Sequence, residues 1–281
     1  MNDSERENQF SAVRFNPMTS FLAVLNSNDE SDTNVTLARY FLENFRNLSK
    51  LSIYQVADDC YTSRSSVQRF IKSIGYETFT ALKESAAQVM DHQKSFHAYA
   101  DHTDFANYLQ DSVDRMMRDI NQMASRQKLS SLAEKIHDSR NVFIVNAEDS
   151  SSAARHFQQQ MLSMDKLVRL VTSSASTNPE ILSTLGEDDF MMTCSASGNY
   201  ALIIDDEIAQ VKAYKCLVTL NRTVLFEQNY DSIFYLSETL QPSNRSLLKL
   251  RNVYTRYGMS YFFDLLFHLY FARYQNELRP E

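Results

Sequence analysis

The sequence predicts a mixed fold: an all-α N-terminal domain, then an α/β/α domain built on a parallel sheet. Three observations carry that reading. Up to about residue 140 apolar residues recur at helical spacing. Beyond it five short apolar runs alternate with helical segments, the pattern of a parallel sheet covered on both faces. Only four glycines occur in 281 residues, too few for a β-rich fold full of tight turns or for loops that cradle phosphate with bare backbone. At 43 % hydrophobic residues the chain is too apolar to be disordered and long enough for two domains.

The first clear helix carries Leu37, Tyr40, Phe41, Phe45 and Leu48 on one side. Ser52 is placed to cap a short helix, SIYQVADD, with Ile53, Val56 and Ala57 facing inward. A three-residue break, CYT, separates it from the next. There Val67, Phe70, Ile71 and Ile74 follow i, i+3, i+4, i+7, with Ser63 as N-cap and Gly75 as the stop. Helix, short helix, tight turn, helix is a helix-turn-helix arrangement, whose last helix enters the DNA major groove.

The outward face of that last helix offers Arg64, Ser65, Gln68, Arg69 and Lys72 and no acid. Arg can grip guanine, Gln can pair with adenine, and Lys neutralises phosphate. Thr62, Arg64, Ser65 and Gln68, near the helix start, are expected to reach base edges. Arg69 and Lys72 are expected to hold the backbone, and Ser63 completes the DNA-facing set. An ordinary solvated helix would share the apolar spacing; the short turn and the missing acids argue against it. Charge divides accordingly. The chain carries −7, yet residues 36–90 hold seven Lys+Arg against five Asp+Glu. The other 21 basic and 30 acidic residues leave −9 elsewhere. With so thin a basic surplus, two copies on a palindrome are expected to be needed for firm binding.

The segment LSIYQVADDCYTSRSSVQRFIKSIGYETFTALK resembles the N-terminal domain of RpiR-type (MurR-like) transcriptional regulators. Leu51, Ser52, Ile53, Val56, Ala57, Ser63, Ser66, Val67, Arg69, Phe70, Lys72, Ile74, Gly75, Tyr76, Phe79, Leu82 and Lys83 fall on that family's pattern without a gap. The resemblance implies a regulator of carbohydrate-metabolism genes that binds a double-stranded operator as a homodimer or homotetramer.

Residues 1–90 are therefore read as the DNA-binding domain, 91–124 as linker and connecting helix, and 125–281 as the α/β domain. In the linker, His92, His97 and His102 recur every five residues. That spacing turns a helix about 140° past one full turn, so they share no face, and no metal site is expected. The strands are expected at Val142–Val145, Leu167–Val171, Phe190–Cys194, Cys216–Thr219 and Ile233–Leu236. SSAARHFQQQMLSM, NPEILSTL and YALIIDDEIAQVKAY are the helical segments between them.

About residues 125–240 are similar to the sugar isomerase (SIS) domain of the same regulators. The family's first loop, G-x-G-x-S, falls on Asn146, Ala147, Glu148, Asp149 and Ser150; its second, S-x-S-G-x-[ST], on Ser195 to Tyr200. The resemblance implies a phosphosugar held at Ser150, Ser195, Ser197, Gly198 and Asn199, small donors at the start of a helix. The sequence departs from it in three ways. Both first-loop glycines are missing, Glu148 and Asp149 put negative charge beside an anion, and Tyr200 replaces a small hydroxyl residue. Three readings stay open: a phosphosugar in altered geometry, a less anionic ligand, or a domain that only dimerises.

The last segment, Asn252 to Tyr274, is apolar on nearly all sides, so it is buried in the core, at a subunit interface, or both. A sugar-phosphate isomerase is the alternative from another class. No His/Glu pair stands beside the pocket loops, His137 and His156 being the nearest candidates, so no catalytic residue, enzyme activity or cofactor is expected. Three cysteines without a CxxC read as buried thiols. With a polar N-terminus and no apolar run of about 18 residues, a soluble, cytoplasmic chain that avoids membranes is expected.

Overall fold

The computed structural model describes residues 16–27, 32–146, 151–172, 179–238 and 252–278. They fall into two compact units, one up to residue 94 and the other from residue 95 onward.

Among the described residues the N-terminal unit is helical: α1 (Pro17–Ser27), α2 (Thr33–Glu43), α3 (Ile53–Asp59), α4 (Arg64–Ser73) and most of α5 (Phe79–Ala100), whose last six residues are counted with the second unit. The expected first helix is shorter than its apolar pattern. It ends at an Asn44 cap, and Phe45–Lys50 continue as a 3-10 turn that still buries Phe45 and Leu48. Phe21 of α1, Phe41 of α2 and Phe70 of α4 form a stack of rings, with centroids 5.1–6.1 Å apart. All three are essentially inaccessible to solvent, so the apolar stripe of α4 is held by rings from two other helices. Tyr40 Oη donates to Asp59 at 2.6 Å, tying α2 to α3. Burial, and then that carboxylate, push the Tyr40 phenol up to about 12. The polar stretch 91–100, read as linker, is helical and completes α5.

In the second unit the end of α5 is followed by α6 (Phe105–Met123) and α7 (Arg126–Asp138). Five parallel strands follow: β1 (Val142–Asn146), β2 (Val168–Thr172), β3 (Phe190–Cys194), β4 (Tyr214–Thr219) and β5 (Ser232–Tyr235). Their spatial order is β2-β1-β3-β4-β5, and each strand lies within two residues of its expected position. The helices between them are α8 (Ser151–Leu162), α9 (Asn199–Ile203), α10 (Asp205–Ala209) and α11 (Phe226–Asn229), with a 3-10 helix over Pro179–Thr184. YALIIDDEIAQVKAY is thus two five-residue helices broken at Ile204 rather than one.

Because the chain moves one way from β1 to β2 and the other way from β3 to β5, right-handed crossovers place their helices on opposite faces. One face buries Ile144, Met192 and Val218 under α6, α7, α8 and the last helix, α12 (Met259–Tyr274). The other buries Phe143, Met191 and Leu217 under α9, α10 and α11. In α12, Phe262, Phe263, Leu266 and Tyr270 belong to the first core, which answers the core half of the expectation for that segment. A π-turn at Tyr254–Gly258 precedes it.

At the N-terminal edge of the sheet Asp189 is 2 % exposed. Its carboxylate accepts from the Gly186 amide (2.9 Å) and from Asn141 (2.8 Å), and pairs with Arg140 at 3.4 Å. Burial alone would raise this carboxyl; the three donors outweigh it and hold it below its ordinary value. Among the described residues no helix is long and apolar enough to cross a membrane.

Candidate DNA-reading helix and sheet-edge loop

Helix α4, the candidate reading helix, is set between two turns of one design. After α3 the Tyr61 amide donates to Asp58 O (3.2 Å) and the Thr62 amide to Ala57 O (2.9 Å). After α4 the Gly75 amide donates to Lys72 O and the Tyr76 amide to Ile71 O, both at 3.0 Å. Each pair is a Schellman closure, which needs a left-handed residue just past the helix end. Gly75 takes that role at φ 94° and Tyr61 at φ 49°. Ser52 Oγ accepts from the Gln55 amide, and Ser63 Oγ from the Ser66 amide, each at 3.1 Å. Both expected caps and the expected glycine stop are therefore in place.

The solvent face of α4 presents Arg64, Ser65, Arg69 and Lys72, all exposed. Arg64 lies over the ring of Tyr54, guanidinium carbon 4.6 Å from its centroid. Arg69 donates to Ser66 Oγ at 3.3 Å. Besides Arg69, the expected DNA donors Ser63, Ser65 and Gln68 hold side-chain bonds within the protein. Ser63 spends its hydroxyl on the helix cap and its Ser65 and Ser66 neighbours. Gln68 is half-buried and donates one amide hydrogen to Glu77 O at 3.0 Å, leaving its second hydrogen and Oε1 for a base. Thr62 is half-buried in the turn. Tyr54, 60 % exposed, and Tyr61, 99 % exposed, were not singled out in the sequence. Tyr54 falls on the exposed side of a short helix, where only the three-dimensional approach to Arg64 gives it meaning.

In the second unit the sheet order reverses between β1 and β3, so the loops that leave these strands flank the crevice where open α/β sheets bind ligands. Of the first loop, Ala147 to Ser150 lie outside the described residues, and with them the expectations for Glu148, Asp149 and Ser150. Asn146, at the end of β1, donates to Ser151 Oγ at 2.8 Å. The second loop is described in full, and its donors are turned inward. The Ser195 amide bonds to Val218 O (3.1 Å) and the Gly198 amide to Ser195 O (2.9 Å). The Asn199 amide bonds to Ser197 Oγ at 3.3 Å.

Gly198 is left-handed (φ 78°), and a Cβ there would stand 2.5 Å from Asn221 Cβ. Asn221, after β4, donates to Ser197 O at 3.2 Å and so clasps the loop. Ser195 Oγ is buried without a hydrogen-bond partner among the described residues. Tyr200 packs against the second apolar cluster, and burial, followed by Glu207, pushes its phenol up to about 12.

His137 lies five residues before β1, at the opposite edge of the sheet, stacked 3.7 Å from the Tyr274 ring and 3.3 Å from Glu277. His156 is exposed on α8. All three cysteines are buried. Burial pushes the Cys194 thiol well up and Cys216 to about 12, so neither supplies a thiolate at neutral pH. The described residues contain no group of three His, Cys, Asp or Glu able to hold a metal.

Residues 22–94 match the model of the rpiR-family helix-turn-helix domain. An uncharacterised HTH-type transcriptional regulator of Caldanaerobacter subterraneus is 30 % identical over 139 residues, 49 % of this chain and 44 % of that protein. The chain thus spans less than half the length of the curated relative it matches. Among solved structures, the Vibrio vulnificus NanR protein complexed with ManNAc-6P is 16 % identical, covers 93 % of both chains and has a TM-score of 0.49. The sugar isomerase domain of an RpiR transcription factor from Sphaerobacter thermophilus, 16 % identical, covers 58 % of this chain and 89 % of its own at a TM-score of 0.42. None of these structural likenesses is tight enough to add to the fold described above. The helix order, the two caps and the matched segment agree with one another, and residues 22–94 are a helix-turn-helix domain of the rpiR family.

Proposed function

We propose that the chain is a DNA-binding transcriptional regulator of RpiR type, acting in the cytoplasm on carbohydrate-metabolism genes. Residues 1–90 bind a double-stranded operator, 91–124 connect, and 125–281 assemble the chain as a homodimer or homotetramer and sense a sugar or phosphosugar. It performs no catalysis. One observation carries this reading: an acid-free helix inside the rpiR-type domain presents Arg64, Arg69 and Lys72 to solvent. Arg64 and Ser65 meet base edges, with Thr62 beside them, while Arg69 and Lys72 meet phosphates.

The test is selection of a preferred duplex from a randomised library by the full chain, followed by anisotropy titrations on the selected and a scrambled duplex. A clear preference, with affinity falling steeply as salt rises, is expected. Equal affinity for both duplexes overturns the reading.

For the effector, Ser195, Ser197, Gly198 and Asn199 remain the proposed contacts. Ser195 Oγ, buried and unpartnered among the described residues, is the donor best placed to gain from a ligand. A thermal-shift panel of phosphosugars, amino sugars and neutral sugars tests this. A binder at about 100 times its Kd adds about 2.7 kcal/mol, a clear rise in Tm. The inward-turned Gly198 and Asn199 amides favour a second reading, in which this unit only assembles; a panel without a single rise supports it. Self-association is assigned to the outer side of α12. Phe267→Glu, at a half-buried position, is expected to lower the mass seen by light scattering. Tyr270, 2 % exposed in the core of its own unit, cannot serve that test.

A further inference from the structure

We infer that Tyr54 is a positioning residue for DNA reading: its ring fixes the Arg64 guanidinium in the pose that meets a base edge. The inference rests on the proposed DNA-reading role of α4 and adds a residue from the preceding helix to it.

Arg64 is the first residue of α4, so its side chain leaves the helix at the end that enters the groove first. A long arginine at such a position loses considerable rotamer freedom when it grips a base. In this chain the guanidinium already lies 4.6 Å above the Tyr54 ring. A planar cation on an aromatic face is attracted by the ring quadrupole, and a ring face holds it without taking its N–H donors into an ion pair. Those donors are what a guanine O6/N7 pair accepts from. An ion pair with a carboxylate would have consumed them.

The geometry on both sides is fixed. Ser52 caps α3 two residues before Tyr54, and Ser63 caps α4 one residue before Arg64. The Schellman turn between the helices sets their separation. Tyr54 is 60 % exposed, so its ring contributes little to the core and is available to this role. Neither residue uses the tyrosine hydroxyl in the stack; the ring is the working part.

The prediction separates ring from hydroxyl and positioning from folding. With the selected and scrambled duplexes, Tyr54→Ala is expected to lower the preference ratio roughly two- to fivefold, with affinity for the scrambled duplex unchanged. Tyr54→Phe is expected to keep the preference. Tyr54→Leu, which fills similar space without a ring face, is expected to behave as Tyr54→Ala and stands in for it if the alanine variant folds poorly. In an Arg64→Ala background the Tyr54→Ala change is expected to cost nothing further.

An unchanged preference in Tyr54→Ala or Tyr54→Leu overturns the inference. So does equal weakening on both duplexes, or a full additional loss in the Arg64→Ala background. If the parent chain shows no preference at all, the DNA-reading role of α4 falls and takes this inference with it. If the parent prefers its duplex and only Arg64→Ala removes that preference, the inference alone falls.

Discussion

The reading helix and the sheet-edge loop are both stretches of small hydroxyl residues beside a helix start, yet they use their polar groups in opposite ways. Around α4 the caps take the serine hydroxyls and leave the cations outside, with Arg64 braced on a ring rather than on an acid. Around Ser195–Asn199 the Gly198 and Asn199 amides close on the loop itself, the Ser195 amide bonds to β4, and Asn221, just after β4, locks the loop. A surface that meets a polyanion needs side chains projecting into water; a small-ligand site needs donors left unspent inside. The N-terminal unit meets its condition, and in the loop Ser195 Oγ, buried and unpartnered among the described residues, meets its own.

The sharpest way to break the comparison is at Gly198. Gly198→Ala would add both a left-handed alanine and a Cβ 2.5 Å from Asn221 Cβ. Strain and overpacking together should cost about 3 kcal/mol, read as a lower urea midpoint. A loss below about 1 kcal/mol would mean that the loop opens easily and that its amides are available to a ligand after all.

Next in size is the reading face. Arg64→Ala should cost about 1–3 kcal/mol on the selected duplex and relax preference at one base pair. Lys72→Ala should weaken every duplex alike. Equal losses on selected and scrambled DNA for Arg64→Ala would reduce the face to a phosphate contact and erase its contrast with the loop.

How much of each region was legible follows from the same contrast. Ser52, Ser63 and Gly75 act within a few residues of their own position, and local spacing was enough to place them. Val67, Phe70 and Ile71 declare a buried face by period alone. The strands are short apolar runs, equally local, and only their ends shifted. What spacing could not show depends on partners distant in sequence. Asn221 reaches Ser197 across 24 positions, and Gln68 reaches past the helix end to Glu77. The Tyr54 ring meets Arg64 only because a turn folds the two helices together. The expected phosphate donors at Gly198 and Asn199 were read from a pattern that specifies residue type and is silent on where each amide points.

A smaller effect comes from Asp189, which supports the sheet from the edge opposite the loop. Its folded carboxyl lies below the ordinary 3.8. The stabilisation is therefore complete above about pH 4 and is lost as pH falls through the lower folded value. Thermal unfolding should show that acid loss in the parent chain. Asp189→Asn should cost about 1–2 kcal/mol at neutral pH, through bonds it can no longer accept, and should flatten the acid slope. A slope equally steep in the variant would assign the acid sensitivity to other carboxylates.

The smallest expected effect compares the two turns that bracket α4, and its sign is the informative part. Both close by the same pair of amide bonds, but one places glycine in the left-handed position and the other places Tyr61. Gly75→Ala should lose about 1 kcal/mol, the cost of a Cβ at positive φ. Tyr61→Gly should do the reverse. Relief of about 1–2 kcal/mol of left-handed strain is offset by about 0.4–1 kcal/mol of added freedom in the unfolded chain, leaving a small gain. The ring should not alter that balance, since Tyr61 is 99 % exposed and buries almost nothing. A urea midpoint that rises for Tyr61→Gly and falls for Gly75→Ala would establish that the sequence keeps a strained tyrosine in the turn before α4 at a cost in stability. A fall in both would mean that the Tyr61 ring packs in solution against something its exposure conceals, and the two turns would then differ in more than one residue.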